Sequence, residues 1–439
     1  MLLAHADHPG RIVRLGYGLN FGAAEDLDGI LALLRATAPP LALRLGLPGA
    51  FGAGVWLPAP LALELGVPAG EAERERLLAH LLAPDLDPFT WNAFPWGGFH
   101  SPGLKARVFR PTWRAPERLA YTLAVADIAI RAHRRASAGG HVSISTHAGM
   151  HASEVRGPED LDAAADNFVL AALHLARLEA ERGVRVVLAL EPEPRSAAND
   201  TGELAAFFER LLLRSRTVLA REMGRLRSAA EEIVVRHLGT CLDACHSAVE
   251  FEDPSRAVAL ATNAGTTLGK LQLTNALRLL WPGEHAAGRE RLLAMDEPVF
   301  LHQLTARRGK SLDRAGDLPE VRAAGDRGDP RWRAAEEWRC HFHVPLDLES
   351  AGEPGDGLAT TRAHAAAVLA AALAVPARWG SDELHLEIET YTWTVLPATA
   401  RGTGSRLDGQ ERELRTALAW LAAAGWHPAP EGSLSPPPG

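Results

Sequence analysis

The stretch His237–Pro254, HLGTCLDACHSAVEFEDP, carries an apolar run that ends in a carboxylate, Asp243, with a histidine, His246, three residues later. It reads as a buried strand giving way to a loop, with Pro254 opening the next helix. Two other runs end the same way. VRVVLALEPEP (Val184–Pro194) delivers Glu191 and Glu193, and LHLEIETYTW (Leu384–Trp393) delivers Glu387 and Glu389. In parallel α/β proteins ligands bind at the carboxyl ends of the strands, where the loops are free to vary. Three buried strands with acidic ends, far apart in sequence, therefore point to one polar pocket at the mouth of a barrel.

The rest of the chain fits around these three runs. Leu15–Phe21 reads as a first strand and Glu25–Ala36 as its helix; Leu41–Leu47 reads as a second strand, followed by a Gly/Pro-rich loop and a helix at Glu71–Leu82. Gly16, Gly18 and Gly22 lack the G-x-G-x-x-G spacing of a dinucleotide fold. Pro88–Phe94 is the third strand, ending at Asn92, and the helix Pro116–Arg135 leads to the fourth, His141–His147. The helix Glu159–Arg182 precedes the fifth strand, and a helical pattern over Gly202–Arg236 precedes the sixth. In the seventh, Leu268–Thr274, a period of two puts Lys270, Gln272 and Thr274 on one face.

Residues 277–340 break the rhythm with an Arg-, Asp- and Gly-rich insertion, one extra strand at Val299–Leu304, and the character of a lid. It runs into WRCHFHVPLD (Trp338–Asp347), where His341 and His343 point the same way if the run is extended, as ligands or as a packed pair. A helix at Leu358–Leu373, an eighth strand at Glu383–Thr392 and a helix at Gln410–Ala424 complete the pattern. Eight alternations of strand and helix predict an α/β fold, a (β/α)8 TIM barrel with an insertion after the seventh strand. Residues 1–425 form one domain in this reading, and the proline-rich residues 426–439 a disordered tail.

Composition narrows the function. The 439 residues are 47% hydrophobic and 23% charged, with a formal net charge of −8. No basic stripe is available for nucleic acid. The apolar helix around Ala365–Ala377 is about half the roughly 20 residues a membrane span needs, which argues against membrane insertion. The three cysteines, Cys241, Cys245 and Cys340, give no disulfide framework and read as buried small hydrophobes, and the N-terminus has no secretory pattern. A reducing cytoplasm is the expected location.

Glu191, Asp243 and Glu389 are hard oxygen donors suited to Mg²⁺ or Mn²⁺, and to Zn²⁺ when imidazole joins them. Crowded carboxylates repel, and a divalent cation is the usual way to neutralise them. Each acid alone would serve equally to cap the following helix. His246 is placed to orient substrate oxygens past the strand end.

LDACH resembles the aspartate-x-x-histidine signature of the xylose isomerase-like barrel superfamily of sugar isomerases, keto-sugar epimerases, inosose dehydratases and apurinic endonucleases. The resemblance implies metal ligands at Glu191, Asp243, position 272 and Glu389, with Glu191 and Glu389 exchanging a proton with the substrate. Gln272 stands where the superfamily has histidine, and His343 is the residue to replace it. Asn92, His147, His246, Lys270 and His341 are the implied substrate contacts. LEPEP, CLDACHSAVEFEDP, RCHFHVPL and LEIETYTWTVLP in that order resemble the EboE family of metabolite-traffic proteins. That likeness implies a small hydroxylated or carbonyl metabolite and a membrane prenyltransferase-like partner from the same gene cluster. A carrier that has lost its chemistry is the alternative reading, and an apurinic-site nuclease a remote one.

Overall fold

In the computed structural model the chain is described over residues 1–46, 49–133, 139–223, 227–396 and 404–429. A short strand, β1 (Leu2–His5), turns back antiparallel on β2 (Ile12–Gly18). From there β2, β3 (Phe51–Trp56), β4 (Leu86–Asn92), β5 (Val142–His147), β6 (Val186–Glu191), β7 (Leu238–Asp243) and β8 (Thr267–Leu273) pair in parallel, each with the next. The chain then leaves for a separate sheet, built from β9 (Asn275–Leu280), β10 (Leu304–Arg308), β11 (Ser311–Ala315), β12 (Glu337–Val344) and β13 (Leu358–Thr360). It returns as β14 (Glu383–Ile388), which pairs in parallel with both β8 and β2 and closes the ring.

The result is a (β/α)8 barrel. Its strands are buried on both faces, as apolar parallel strands flanked by helices must be. Helices such as Pro116–Ala132, Pro158–Arg182 and Arg362–Leu373 cover the outside. Among the described residues no helix is long and apolar enough to cross a membrane.

Several expected boundaries move. Leu41–Leu45 is the end of a helix, Leu27–Leu45, that runs straight through Pro39 and Pro40; Leu47 lies outside the described residues. Two prolines argue for a break, but the helix buries Leu34, Ala38, Leu41 and Leu45 against the barrel, and that packing prevails. The second barrel strand is instead Phe51–Trp56, FGAGVW, in the stretch that reads as a Gly-rich loop. Its glycines are required by packing: a Cβ on Gly52 would lie 2.2 Å from the Leu15 carbonyl oxygen, and one on Gly54 only 1.7 Å from Glu387 Oε1. In place of one extra strand the insertion carries a five-stranded sheet; its strand nearest the expected Val299–Leu304 is Leu304–Arg308, and the sheet extends to Thr360, which makes Leu358–Thr360 a strand rather than the start of a helix. Trp426–Pro428, expected in a disordered tail, forms β15 and pairs with β1; residues 430–439 lie outside the described residues.

The C-terminal helix Arg406–Ala423, opened by a Ser405/Asp408 capping box, fastens the barrel seam through one buried acid. Glu413 accepts hydrogen bonds from Tyr17 Oη (2.6 Å), Thr390 Oγ1 (2.5 Å) and the Leu346 amide (2.9 Å). Burial nonetheless raises its pKa to about 7, the three hydrogen bonds opposing the rise only in part. The unfolded value is about 4.3. A raised folded pKa contributes stability that is complete below that unfolded value and is lost as pH climbs through about 7. Glu413→Gln should therefore reduce the fall of the melting temperature across that window, leaving the part of the slope owed to the other buried acids raised in the same way, Glu252 and Glu193 among them. Melting curves of both chains at several pH values check this; parallel slopes would remove Glu413 as a cause.

Candidate functional site

Parallel register sets the ends of neighbouring strands side by side. His147 pairs with Glu191, Asp243 with Gln272, and Glu387 with Gln272. Closure of the ring then gathers side chains that are far apart in sequence: Glu191, Asp243 and Glu389 each offer an oxygen within 4.8 Å of the others. All three are at most 4% exposed. Asp243 caps the short helix Ala244–Val249, its Oδ1 accepting from the amides of Cys245 (2.5 Å) and His246 (3.2 Å). Capping and ligation do not compete here, since Asp243 Oδ2 is left over. Glu389 is steadied by Asn20 (2.7 Å) and Asn92 (3.1 Å), both donating to its Oε1.

Burial drives the Glu191 pKa well above the carboxylate range, and the charges of Glu389 and Asp243 push it further. Glu389 is raised likewise by burial and by Glu387 and Asp243, and Asp243 by burial. Asp243 Oδ2 and Glu191 Oε2 are buried and receive no hydrogen bond among the described residues. Unsatisfied buried oxygens facing one another cost stability unless something positive joins them. The residues thus fit a divalent cation held by Glu191, Asp243 and Glu389.

Above the acids lie three imidazoles. The Nε2 atoms of His246 and His341 are 3.1 Å apart, those of His341 and His343 2.9 Å, and those of His246 and His343 3.4 Å. His343 is contiguous with the acids, its Nδ1 lying 3.9 Å from Glu389 and 4.0 Å from Asp243. His246 Nδ1 is 3.4 Å from Glu191. Asn92, His246, His341 and His343 line the same cavity as Glu191 and Glu389.

Three sequence candidates stand elsewhere. Gln272 is fully buried, and its oxygen accepts from the Cys241 thiol (2.9 Å). His147 is enclosed by Phe94 and Phe109, and neither of its nitrogens finds a hydrogen-bond partner among the described residues. Lys270 lies below the cavity, inside the barrel. The cavity also recruits residues that sequence reasoning left unassigned. Glu193 follows Glu191 at a spacing of two, the signal that would have found it, and burial raises its pKa to about 8. Asn20 and Tyr391 sit just past the first and last barrel strands, and behind the lining Gln303, from the insertion, meets His341.

The cavity roof is apolar. Phe94, Phe99, Leu104, Val108, Phe300 and Tyr391 form it. Two of the segments that supply it are joined by backbone hydrogen bonds, Gly103 N to Pro298 O and Lys105 N to Val299 O. Lys105 reinforces the join by pairing with Asp296 (3.1 Å) and Asp317 (2.8 Å).

No family model matches the chain, and no curated protein matches it. Solved structures similar to it include an L-ribulose 3-epimerase, at 11% identity over 94% of this chain and 95% of the other, with a TM-score of 0.44. Another is the IolI protein with a bound zinc atom, at 12% identity over 94% and 99%, TM-score 0.42. A third is a xylose isomerase-like TIM barrel/4-hydroxyphenylpyruvate dioxygenase fusion, at 14% identity over 97% and 46%, TM-score 0.39.

Beneath the acids a buried ion pair fills the barrel. Lys270 Nζ contacts Glu387 Oε2 at 2.6 Å and donates to Trp91 O (3.0 Å) and Ser145 Oγ (3.1 Å), with both charged side chains at most 2% exposed. Removing one partner of such a pair strands the other charge without water. Lys270→Met should therefore cost about 3–5 kcal/mol in urea unfolding. Removing Glu387 as well, as Lys270→Met/Glu387→Leu, should recover much of that loss; a single variant as stable as wild type would show that the pair does not hold the floor of the site.

Proposed function

We propose that the chain is a divalent-metal-dependent enzyme of the isomerase or epimerase kind. Its substrate in this reading is a small hydroxylated or carbonyl metabolite, and Glu191 and Glu389 move the proton. The observation that carries the reading is the buried meeting of Glu191, Asp243 and Glu389 at the end of three barrel strands. A bound dication supplies polarisation of a substrate carbonyl or hydroxyl.

The chain's own residues supply the rest. Burial and mutual repulsion raise the proton affinity of Glu191 and Glu389, so either one is a strong enough base, when its partner is protonated or neutralised, to take a proton from carbon beside a carbonyl. Asn20 and Asn92 fix Glu389 by donating to one oxygen and leave the other free to carry the proton. Glu193, with a pKa of about 8, holds its proton at neutral pH and is a donor for a substrate oxygen. The roof of Phe94, Phe99, Phe300 and Tyr391 closes over these groups and excludes water. Such a wall suits a metabolite with an oxygen-bearing end directed to the acids and an apolar end directed to the aromatic rings.

One observation favours a second reading, a carrier without chemistry. The amide oxygen of Gln272 is engaged by Cys241, and an amide is a weaker ligand than the imidazole the superfamily pattern places there. In that reading the pocket receives a precursor and passes it to a membrane prenyltransferase-like partner, as the EboE resemblance implies.

Two measurements separate these. The metal content of the wild type should fall in Glu191→Gln and in Glu389→Gln; unchanged content in both would end the metal-dependent reading. The wild type, loaded with Mn²⁺ and offered a panel of hydroxy-ketones in D₂O, should wash deuterium into the carbon beside the carbonyl, and each variant should lose at least about 100-fold of that rate. Saturable binding without exchange would establish the carrier instead.

A further inference from the structure

Glu389 takes its position from two asparagine amides, and one of these is held from the roof of the cavity. Asn20, 3% exposed, donates from Nδ2 to Glu389 Oε1 at 2.7 Å. The residue before it is fastened to the barrel, the Leu19 amide donating to the Gly54 carbonyl oxygen at 2.9 Å. The Asn20 carbonyl oxygen faces His100 Nε2 at 2.7 Å. Carbonyl oxygens only accept, so Nε2 carries the hydrogen. Burial lowers the pKa of this ring, so near neutral pH the ring is uncharged and that hydrogen is the only one it has to give.

His100 belongs to the roof. Its neighbour Phe99 meets Phe300 and Tyr391 with ring centroids 5.2 and 5.0 Å away, and the His100 ring stands edge-on to Phe300 at 5.5 Å. Tyr391 follows Glu389 by two residues. Two routes thus run from the roof to the acid, one by packing of Phe99 on Tyr391 and one by hydrogen bonds from His100 to Asn20 to Glu389. Apolar packing is non-directional, whereas a hydrogen bond weakens steeply as its angle falls away. The second route is therefore the one that transmits orientation. Nor is His100 needed as an anchor. The same loop is already fastened by the Gly98 amide to Glu25, by the Gly103 and Lys105 amides to Pro298 and Val299, and by the Lys105 ion pairs.

We infer that His100 is a positioning residue, which ties the seating of the roof over the cavity to the orientation of Glu389 through Asn20. That role rests on the reading of Glu389 as cation ligand and proton carrier. With the roof seated, both amides hold Glu389 Oε1, Asn20 at 2.7 Å and Asn92 at 3.1 Å. Without the His100 bond the Asn20 carbonyl is free to turn, and the acid keeps only the longer of its two donors as a fixed one. Contacts between the apolar part of a ligand and Phe99 or Phe300, which line the cavity, therefore also align the acid. Binding at one end of the ligand sets geometry at the other. A hydroxy-ketone without an apolar part binds without that alignment.

The test uses the full chain and two readouts that need no turnover, Mn²⁺ affinity by titration calorimetry and amide hydrogen exchange over residues 98–109. His100→Ala should weaken Mn²⁺ binding by about 10-fold, the scale on which residues that orient a metal ligand act. His100→Gln, which keeps a side-chain N–H, should restore most of that loss. In an Asn20→Ala background His100→Ala should cost no further affinity. Equal losses with and without Asn20 would mean that His100 only steadies the loop, and would overturn the inference; so would unchanged affinity in His100→Ala. The coupling is reciprocal, which gives a second arm in the metal-free chain. Asn20→Ala leaves the backbone carbonyl in place, yet it should raise exchange over residues 98–109 by about 5-fold or more. Unchanged exchange there overturns the inference. A wild type that binds no Mn²⁺ ends the metal-dependent reading alone, and the exchange arm then decides the coupling by itself.

Discussion

Like charges and lone pairs brought together without water are the constraint on which this structure turns. Glu191, Asp243 and Glu389 meet within 4.8 Å, and two of them keep a buried oxygen that nothing among the described residues donates to. In a low-dielectric setting such groups either hold protons or hold a cation. A chain selected for stability alone would place apolar residues here. The cost is tolerated because the surroundings leave the side chains little freedom to turn away. Asn20 and Asn92 hold Glu389, and the first turn of the helix Ala244–Val249 holds Asp243.

Barrel closure makes the meeting unavoidable. The parallel ladder sets Asp243 beside Gln272 and Gln272 beside Glu387, and the β14–β2 seam completes the ring that brings Glu389 round to Glu191 and Asp243. Anything that ties the seam therefore also positions the acids. Glu413 is such a tie, linking Tyr17 near the start of the ring, Thr390 beside Glu389, and Leu346 at the exit of the insertion. Lys270 is another: its bond to Glu387 fills the barrel below the acids with a satisfied charge pair.

The acids were legible in the sequence because each ends an unbroken apolar run, and a run with an acid at its end has few readings in a parallel fold. The same logic located seven of the eight barrel strands to within a few residues. It failed at Phe51–Trp56, where the alternation of Gly52 and Gly54 signals close approach of the Leu15 backbone and the Glu387 side chain, not a loop. It failed again at Leu41–Leu45, where local proline chemistry argued for a break and tertiary packing decided for helix. The imidazole cluster was legible only in part. His341 and His343 share a face by strand period, but nothing in a one-dimensional pattern says that His246, about a hundred residues earlier, points its Nε2 at theirs. That convergence depends on where the insertion docks. Likewise, Lys270 carries no local mark of having its partner in Glu387 rather than in a substrate.

The insertion is built to hold those two histidines still. At the outer end of β12, Glu337 is 1% exposed and gathers three guanidinium groups, from Arg278 (2.7 Å), Arg307 (2.7 Å) and Arg339 (2.8 Å). That end is also paired on both sides, with β9 and β10 through Cys340. Beyond Cys340 the register to β9 shifts before pairing resumes at Val344 and Asn275. Such an irregularity bends a strand and re-aims its side chains, and it falls across His341 and His343. One end of β12 is thus a rigid anchor and the other a wedge into the barrel mouth. The backbone of that wedge is caught by Gln303 at His341 and by Thr392 at His343. A mobile lid would need the opposite construction, a strand free at the end that enters the site. The join over the aromatic roof is lighter by comparison: between residues 99–108 and 296–301 it consists of two backbone hydrogen bonds and the Lys105 pairs, with no charge cluster like that of Glu337 behind it among the described residues.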